Sequence, residues 1–323
     1  MVCEIKTRRD RFIGFPIFTI LFLSLLFSAS SCEKKTQKIN EEKRIKVITT
    51  LFPLYDFAKN IGKHKVDVIL LLPPGIEPHS FEPKPKDILK INNADIFVYT
   101  GKFMEPWVED ILKGIGERRP LIVDSSKGII LTENGDGKNE YKTEHLKVDP
   151  HIWLDFSKAQ RIVDNILNGF IEKDVENREF YLKNATKYKT RLKELDAKFE
   201  KALSLCKKET IIYGGHFAFG YLTKRYKINY LSAYKGFSPE AEPTPKDLIE
   251  LINKLKEYNT NYIFYEELLN PKVAEILAKE TGAKILMLHG AHNITKEDFN
   301  RNVDFISLME HNLKNLIIGL ECK

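Results

Sequence analysis

Three of the chain's eight histidines follow directly on short apolar runs that read as strands. His79 comes after Val66–Leu72 through a proline-rich turn, Pro73 to Pro78. His216 comes after Thr210–Tyr213 through Gly214-Gly215, and His289 stands at the end of Lys284–Leu288. A fourth, His151, lies in an Asp149-Pro150-His151 turn ahead of a helix. Ligands of open α/β sheets bind outside the carboxyl ends of the strands. Histidine is a good ligand for zinc and other borderline metals, and three or four imidazoles make a tetrahedral site. A loop histidine taken singly is usually a surface residue; the shared topological position of these four makes convergence the expectation. No carboxylate cage suits calcium or magnesium, and no C-x-x-C pair offers thiolates. His64, in a Gly-Lys-His-Lys turn, reads as solvent-facing and His311 as structural. His145, in a polar loop, reads as a surface residue or an accessory ligand.

Two stretches of alternating strand and helix must position these residues. Ile45–Thr50, Val66–Leu72, Ala94–Thr100 and Leu121–Asp124 read as strands, separated by helical patterns at Leu54–Ile61, Pro85–Asn92 and Glu105–Ile115. The pattern returns at Thr210–Tyr213, Asn229–Ser232, Tyr262–Tyr265 and Lys284–Leu288, with helices at Phe219–Tyr226, Pro245–Tyr258, Pro271–Thr281 and Lys296–Gly319. Such alternation predicts α/β lobes with mostly parallel sheets covered on both faces. Between the lobes, Tyr181, Ala185, Tyr188, Leu192, Leu195, Phe199 and Ala202 step by four and three along Glu176–Leu205, which has neither Pro nor Gly. That spacing predicts one helix of roughly 45 Å, a rigid backbone between the lobes. The segment Leu131–Lys147 has loop composition.

The chain also carries an address. Lys6, Arg8, Arg9 and Arg11 precede the apolar run Phe12–Phe27, and Ala29-Ser30-Ser31-Cys32 follows. A basic start, a short apolar run and small residues make a secretory signal; the run is shorter than the roughly 20 residues a membrane span needs. Ala-Ser-Ser-Cys resembles a bacterial lipobox, which makes Cys32 the candidate lipidation site, although Ala29 stands where Leu is commoner. The expected organisation is a signal peptide over 1–31, a tether over 32–44, an N-terminal lobe over 45–175, the linking helix over 176–205 and a C-terminal lobe over 206–323. An oxidising compartment would permit a disulfide between Cys206 and Cys322, the two cysteines left after Cys3 and Cys32. Net charge is +6, and removing a leader with four basic and two acidic residues leaves +4, spread along the chain. A nucleic-acid footprint would be a concentrated basic stripe instead.

Five blocks resemble the zinc/manganese ABC-transporter solute-binding lipoproteins, a family that includes adhesin-type members. They are Pro74–Pro83 (PGIEPHSFEP), Ala94–Gly101 (ADIFVYTG), Asp149–Asp155 (DPHIWLD), Gly215–Leu222 (GHFAFGYL) and Ser238–Thr244 (SPEAEPT). They stand in the family's order over about residues 45–320. The resemblance implies two α/β lobes on one long helix, a metal in the cleft between them, and no enzymatic activity. It implies metal ligands at His79, His151 and His216; histidine at the third place favours Zn2+ over Mn2+ or Fe2+. His289 aligns with the fourth ligand, an Asp in many members, with His292 or Glu77 as alternatives. Glu240, Glu242 and Glu266 are candidate partners for the imidazole rings. The implied role is capture of the ion outside the cell and delivery to a membrane permease, by a lipid-anchored monomer facing the periplasm or the exterior. A secreted zinc hydrolase is the alternative from another class, since three histidines and a water also make a catalytic zinc site. Against it, the chain has no H-E-x-x-H.

Overall fold

The computed structural model of the protein describes residues 44–116, 119–132, 148–216, 218–234, 237 and 243–323. The leader, Cys32, His145, Glu240 and Glu242 fall outside them. The first lobe holds strands β1 (Ile45–Thr49), β2 (Val66–Leu70), β3 (Ile96–Tyr99) and β4 (Leu121–Asp124), in the order β2-β1-β3-β4. The second holds β5 (Thr210–Tyr213), β6 (Asn229–Ser232), β7 (Tyr262–Tyr265) and β8 (Lys284–Met287), in the order β6-β5-β7-β8. All pairings are parallel. The strand order reverses beside β1 in one sheet and beside β5 in the other, so each lobe has its crevice at the carboxyl end of a central strand.

The strands are apolar on both faces because helices cover both faces. Val47, Ile96 and Val98 join the large core, while Ile48 and Phe97, one residue out of phase, pack into a smaller outer cluster. Ile211 and Phe264 face inward in the second sheet, and Ile212 and Ile263 face outward. The large core runs without interruption from one lobe to the other.

Ten helices surround these sheets among the described residues: α1 (Phe52–Gly62), α2 (Pro85–Asn92), α3 (Val108–Gly114), α4 (Phe156–Lys173), α5 (Arg178–Leu203), α6 (Gly220–Tyr226), α7 (Pro245–Glu257), α8 (Lys272–Thr281), α9 (Lys296–Asn300) and α10 (Phe305–Gly319). Helix α5 is the expected backbone. Its 26 residues span about 39 Å at 1.5 Å per residue. Its buried stripe is Tyr181, Ala185, Tyr188, Leu192, Leu195, Phe199 and Leu203. Ala202, expected on this stripe, is only partly buried. Polar contacts fasten the helix to both lobes. Tyr188 Oη donates to Asp56 Oδ2 of α1 at 2.6 Å, and Lys198 Nζ reaches Glu310 of α10 at 2.8 Å. The helix is not a solitary rod, because α4 packs along it and contributes Phe156, Ile162, Ile166 and Phe170 to the same core. A disulfide joins Cys206, just past the end of α5, to Cys322 near the C-terminus.

The helix expected over Lys296–Gly319 is two helices. Asn302 takes a φ of 54°, outside helical geometry, and Asp304 then caps α10 by accepting the N–H of Ser307 at 2.7 Å. A side-chain acceptor before an apolar run starts a new helix.

Candidate metal centre

Each candidate ligand enters from a segment that the fold brings to the crevice. His79 ends the proline-rich turn after β2, whose backbone is held by Glu77: Oε1 accepts the N–H of His79 at 3.0 Å and Oε2 that of Ser80 at 2.9 Å. His151 precedes a 3₁₀ turn, Ile152–Leu154, that leads into α4. His216 follows β5 through Gly214-Gly215. A β-carbon at Gly215 would come within 2.7 Å of Glu266 Oε2, so a side chain there would displace the carboxylate that faces His216.

Four imidazoles converge: His79, His151, His216 and His292, each offering a nitrogen within 4.8 Å of the others. The Nε2 atoms of His79 and His151 are 3.4 Å apart, as are those of His151 and His216. A tetrahedral zinc with Zn–N bonds of about 2.0–2.1 Å places its nitrogens about 3.3–3.4 Å from one another. The two spacings therefore match a tetrahedral edge. The Nε2 atoms of His292 and His289 are both buried without a hydrogen-bond partner, and of the two only His292 belongs to the cluster. His151, His216 and His292 are at most 2% exposed, and His79 is half-buried, so the ring cluster opens on the His79 side.

At the fourth position the structure brings in His292, the alternative to His289. His289 is outside the cluster. Its backbone N–H donates to Asn312 Oδ1 at 2.7 Å, and its Nδ1 lies 2.9 Å from the N–H of Ala291 and 3.1 Å from Glu267 Oε1. Ala291 takes a φ of 57°, and this turn sends His292 into the crevice instead. The Glu77 carboxylate is engaged with the backbone, as described. His64 and His311 are exposed, on a 3₁₀ turn and on α10.

Buried carboxylates face the outer edges of the rings. Asp149 Oδ1 lies 2.7 Å from His151 Nδ1, and Glu266 Oε2 lies 2.7 Å from His216 Nδ1. Glu266 was legible as a candidate; Asp149 was not, although an acid two residues before a ligating histidine is a signal in itself. Such partners fix the tautomer that leaves Nε2 free. Burial and the neighbouring rings hold His79 and His151 well below the usual histidine range, and burial pushes His216 down to about 4. These three imidazoles are thus neutral near pH 7, the form that binds metal. Burial raises Asp149 well above the carboxylate range and, with Glu267 alongside, Glu266 to about 8.

Residues 47–318 match the family model described as zinc-uptake complex component A, periplasmic. The chain belongs to this family. It is the family expected from the five motifs, one of metal-binding transport proteins and not of enzymes, and the hydrolase alternative falls with that. The chain is 36% identical over 308 residues to the high-affinity zinc uptake system protein ZnuA of Bacillus subtilis, covering 94% of this chain and 96% of that one. It is 34% identical over 313 residues to the zinc-binding protein AdcA of Streptococcus pyogenes, where the match takes in 92% of this chain and 60% of the relative. The Zn(II)-bound ZnuA-like domain of Streptococcus pneumoniae AdcA superposes with a TM-score of 0.75 at 31% identity, over 86% of this chain and all of that domain. The two parallel-sheet lobes and the long helix are the fold expected from the sequence. Among the described residues no helix is long and apolar enough to cross a membrane.

Proposed function

We propose that this chain is the extracytoplasmic receptor of an ABC transporter: it captures Zn2+ through His79, His151, His216 and His292 and hands it to a membrane permease. The observation that carries the reading is the convergence of four imidazoles, with Nε2 atoms 3.4 Å apart along two edges. All-nitrogen ligation suits zinc better than manganese, which prefers oxygen. The zinc-binding relatives support the same cargo. The exported, lipid-anchored state rests on the basic-apolar leader and on Cys32 in its lipobox-like setting. Delivery to a permease rests on the description of the family as a component of a zinc-uptake complex.

The test is metal content with variants. Residues 33–323, purified without chelator, should hold about one zinc per chain. His79→Ala, His216→Ala or His292→Ala should each weaken zinc binding by orders of magnitude. Normal affinity in these variants, or manganese or iron in place of zinc, would defeat the reading. Cys32→Ala in the full chain should move the protein from the membrane fraction to the soluble one.

A further inference from the structure

Glu267 is a buried carboxylate beside the ring cluster, apart from the carboxylate of Glu77, which holds the backbone of His79, and from Asp149 and Glu266, which face the rings of His151 and His216. It sits at the exit of β7, next to Glu266, and is 3% exposed at its side chain. One oxygen is fixed: Oε2 accepts the N–H of Gly290 at 2.9 Å. The other stands between two imidazoles. Oε1 lies 3.1 Å from Nδ1 of His289 and 3.9 Å from Nδ1 of His292. His289 Nδ1 already accepts the N–H of Ala291 at 2.9 Å, so Glu267 meets both rings through close electrostatic contacts and not through a further hydrogen bond from that nitrogen. Gly290 leaves room for this arrangement, since a β-carbon there would stand 2.6 Å from His292 Nδ1 and 3.6 Å from Glu267 Oε1.

We propose that Glu267 is the positioning residue of the fourth ligand, His292, and that His289 acts by holding Glu267 in place, not by coordinating the ion. The inference rests on the metal-capture reading above. A carboxylate facing Nδ1 favours the tautomer with its proton there, so the lone pair of Nε2 faces the ion. His216 and His151 have their acids at 2.7 Å, supplied directly. The acid of His292 stands 3.9 Å away and is kept on station by the N–H of Gly290, with the ring of His289 packed 3.1 Å from the shared oxygen. The histidine expected as the fourth ligand thus serves the ligand three residues further on.

The experiment compares Glu267→Gln, His289→Ala, the double variant and His292→Ala with the parent protein. Zinc affinity is read by chelator competition, stoichiometry by metal analysis, and ligand geometry by the visible spectrum of the Co2+-loaded form, whose bands are strong when the ion is four-coordinate. Glu267→Gln and His289→Ala should each keep about one metal per chain and bind it about 10- to 100-fold more weakly. Their Co2+ bands should weaken, and the double variant should be no worse than Glu267→Gln alone. A merely structural role would lower metal-free thermal stability and leave the Co2+ spectrum of the folded fraction unchanged. Parent-like affinity and spectrum in Glu267→Gln would overturn the proposal. So would a loss in His289→Ala as deep as in His292→Ala, which would make His289 a ligand. If Glu267→Gln does not fold, His289→Asn reads the same relay. A parent protein that takes up no zinc would instead defeat the proposed function.

Discussion

The indole Nε1 of Trp153 donates to the carbonyl oxygen of Gly290 at 2.8 Å, tying the turn that carries His151 to the loop that carries His292. The two residues are 137 apart in sequence. Trp153 is fully buried, and its ring centroid lies 5.5 Å from that of His151 and 5.4 Å from that of His292. It is both a wall of the ring cluster and a brace between two of its loops. Trp153→Phe keeps an aromatic wall and strands a buried carbonyl. The expected cost is about 1–3 kcal/mol, seen as a lower urea midpoint of the metal-free protein, with weaker zinc binding. A midpoint equal to the parent's would mean that the bond contributes nothing.

Gly290 is required by what surrounds it. A β-carbon there would lie 2.4 Å from Cε1 and 2.6 Å from Nδ1 of His292, closer than side chains tolerate. Gly290→Ala should turn the His292 ring and lower zinc affinity by at least tenfold, with little change in the far-ultraviolet circular dichroism. Gly116→Ala, where nothing lies within 4 Å, is the control and should bind zinc as the parent does. Equal affinities in the two variants would remove the steric argument.

Asn293 holds the two lobes' ligand loops together. Its Nδ2 donates to the carbonyl oxygens of Pro73 at 2.7 Å and Ile76 at 2.9 Å, in the turn that leads to His79. The N–H of Gly75 donates back to Ile294 at 2.7 Å. Asn293→Ala leaves the Ile76 carbonyl without this donor, while that of Pro73 keeps the N–H of Ile76 at 3.2 Å, so the expected cost is about 1 kcal/mol. His79 is the least buried of the four rings, so a looser turn should act first on departure of the ion. Stopped-flow transfer of zinc to a chelator should be faster in the variant. An unchanged dissociation rate would count against a role for this bond in retention.

The pH dependence of the metal-free protein has a definite sign for His216. Burial lowers its folded pKa from 6.5 to about 4. Between those values the unfolded chain binds a proton that the folded chain refuses, so this group destabilises the fold increasingly as pH falls through that window. A shift of that size corresponds to about 3 kcal/mol. Relative to His216→Asn, the parent should therefore lose about that much stability between pH 7 and pH 4. Urea unfolding of both proteins at several pH values measures it. A constant difference would show that His216 titrates alike in both states.

Much of the architecture was legible because each element repeats a local rule. β4, β5, β6 and β7 fall where the apolar runs place them, and the other strands are one to three residues shorter. The stripe on α5 was readable because a Pro- and Gly-free run with period near 3.6 has one way to bury its apolar side. The split between α9 and α10 was missed because the apolar pattern continues across it; the break lies in the backbone at Asn302 and in the cap at Asp304. α4 was less visible as part of the backbone, since nothing local says that it lies along α5.

By itself the sequence determined the family, the parallel lobes, the linking helix and three converging histidines, because motif order, strand exits and helical periodicity are properties of neighbours along the chain. Only the tertiary structure decided which histidine joins them. His289 and His292 are three residues apart on one loop, and both are buried. The positive φ of Ala291, the bond from Trp153 to Gly290 and the carboxylate of Glu267 turn one toward the crevice and the other away. Those partners come from distant segments, so the choice between two identical side chains is made by packing and hydrogen bonding across the lobes, which no local pattern encodes.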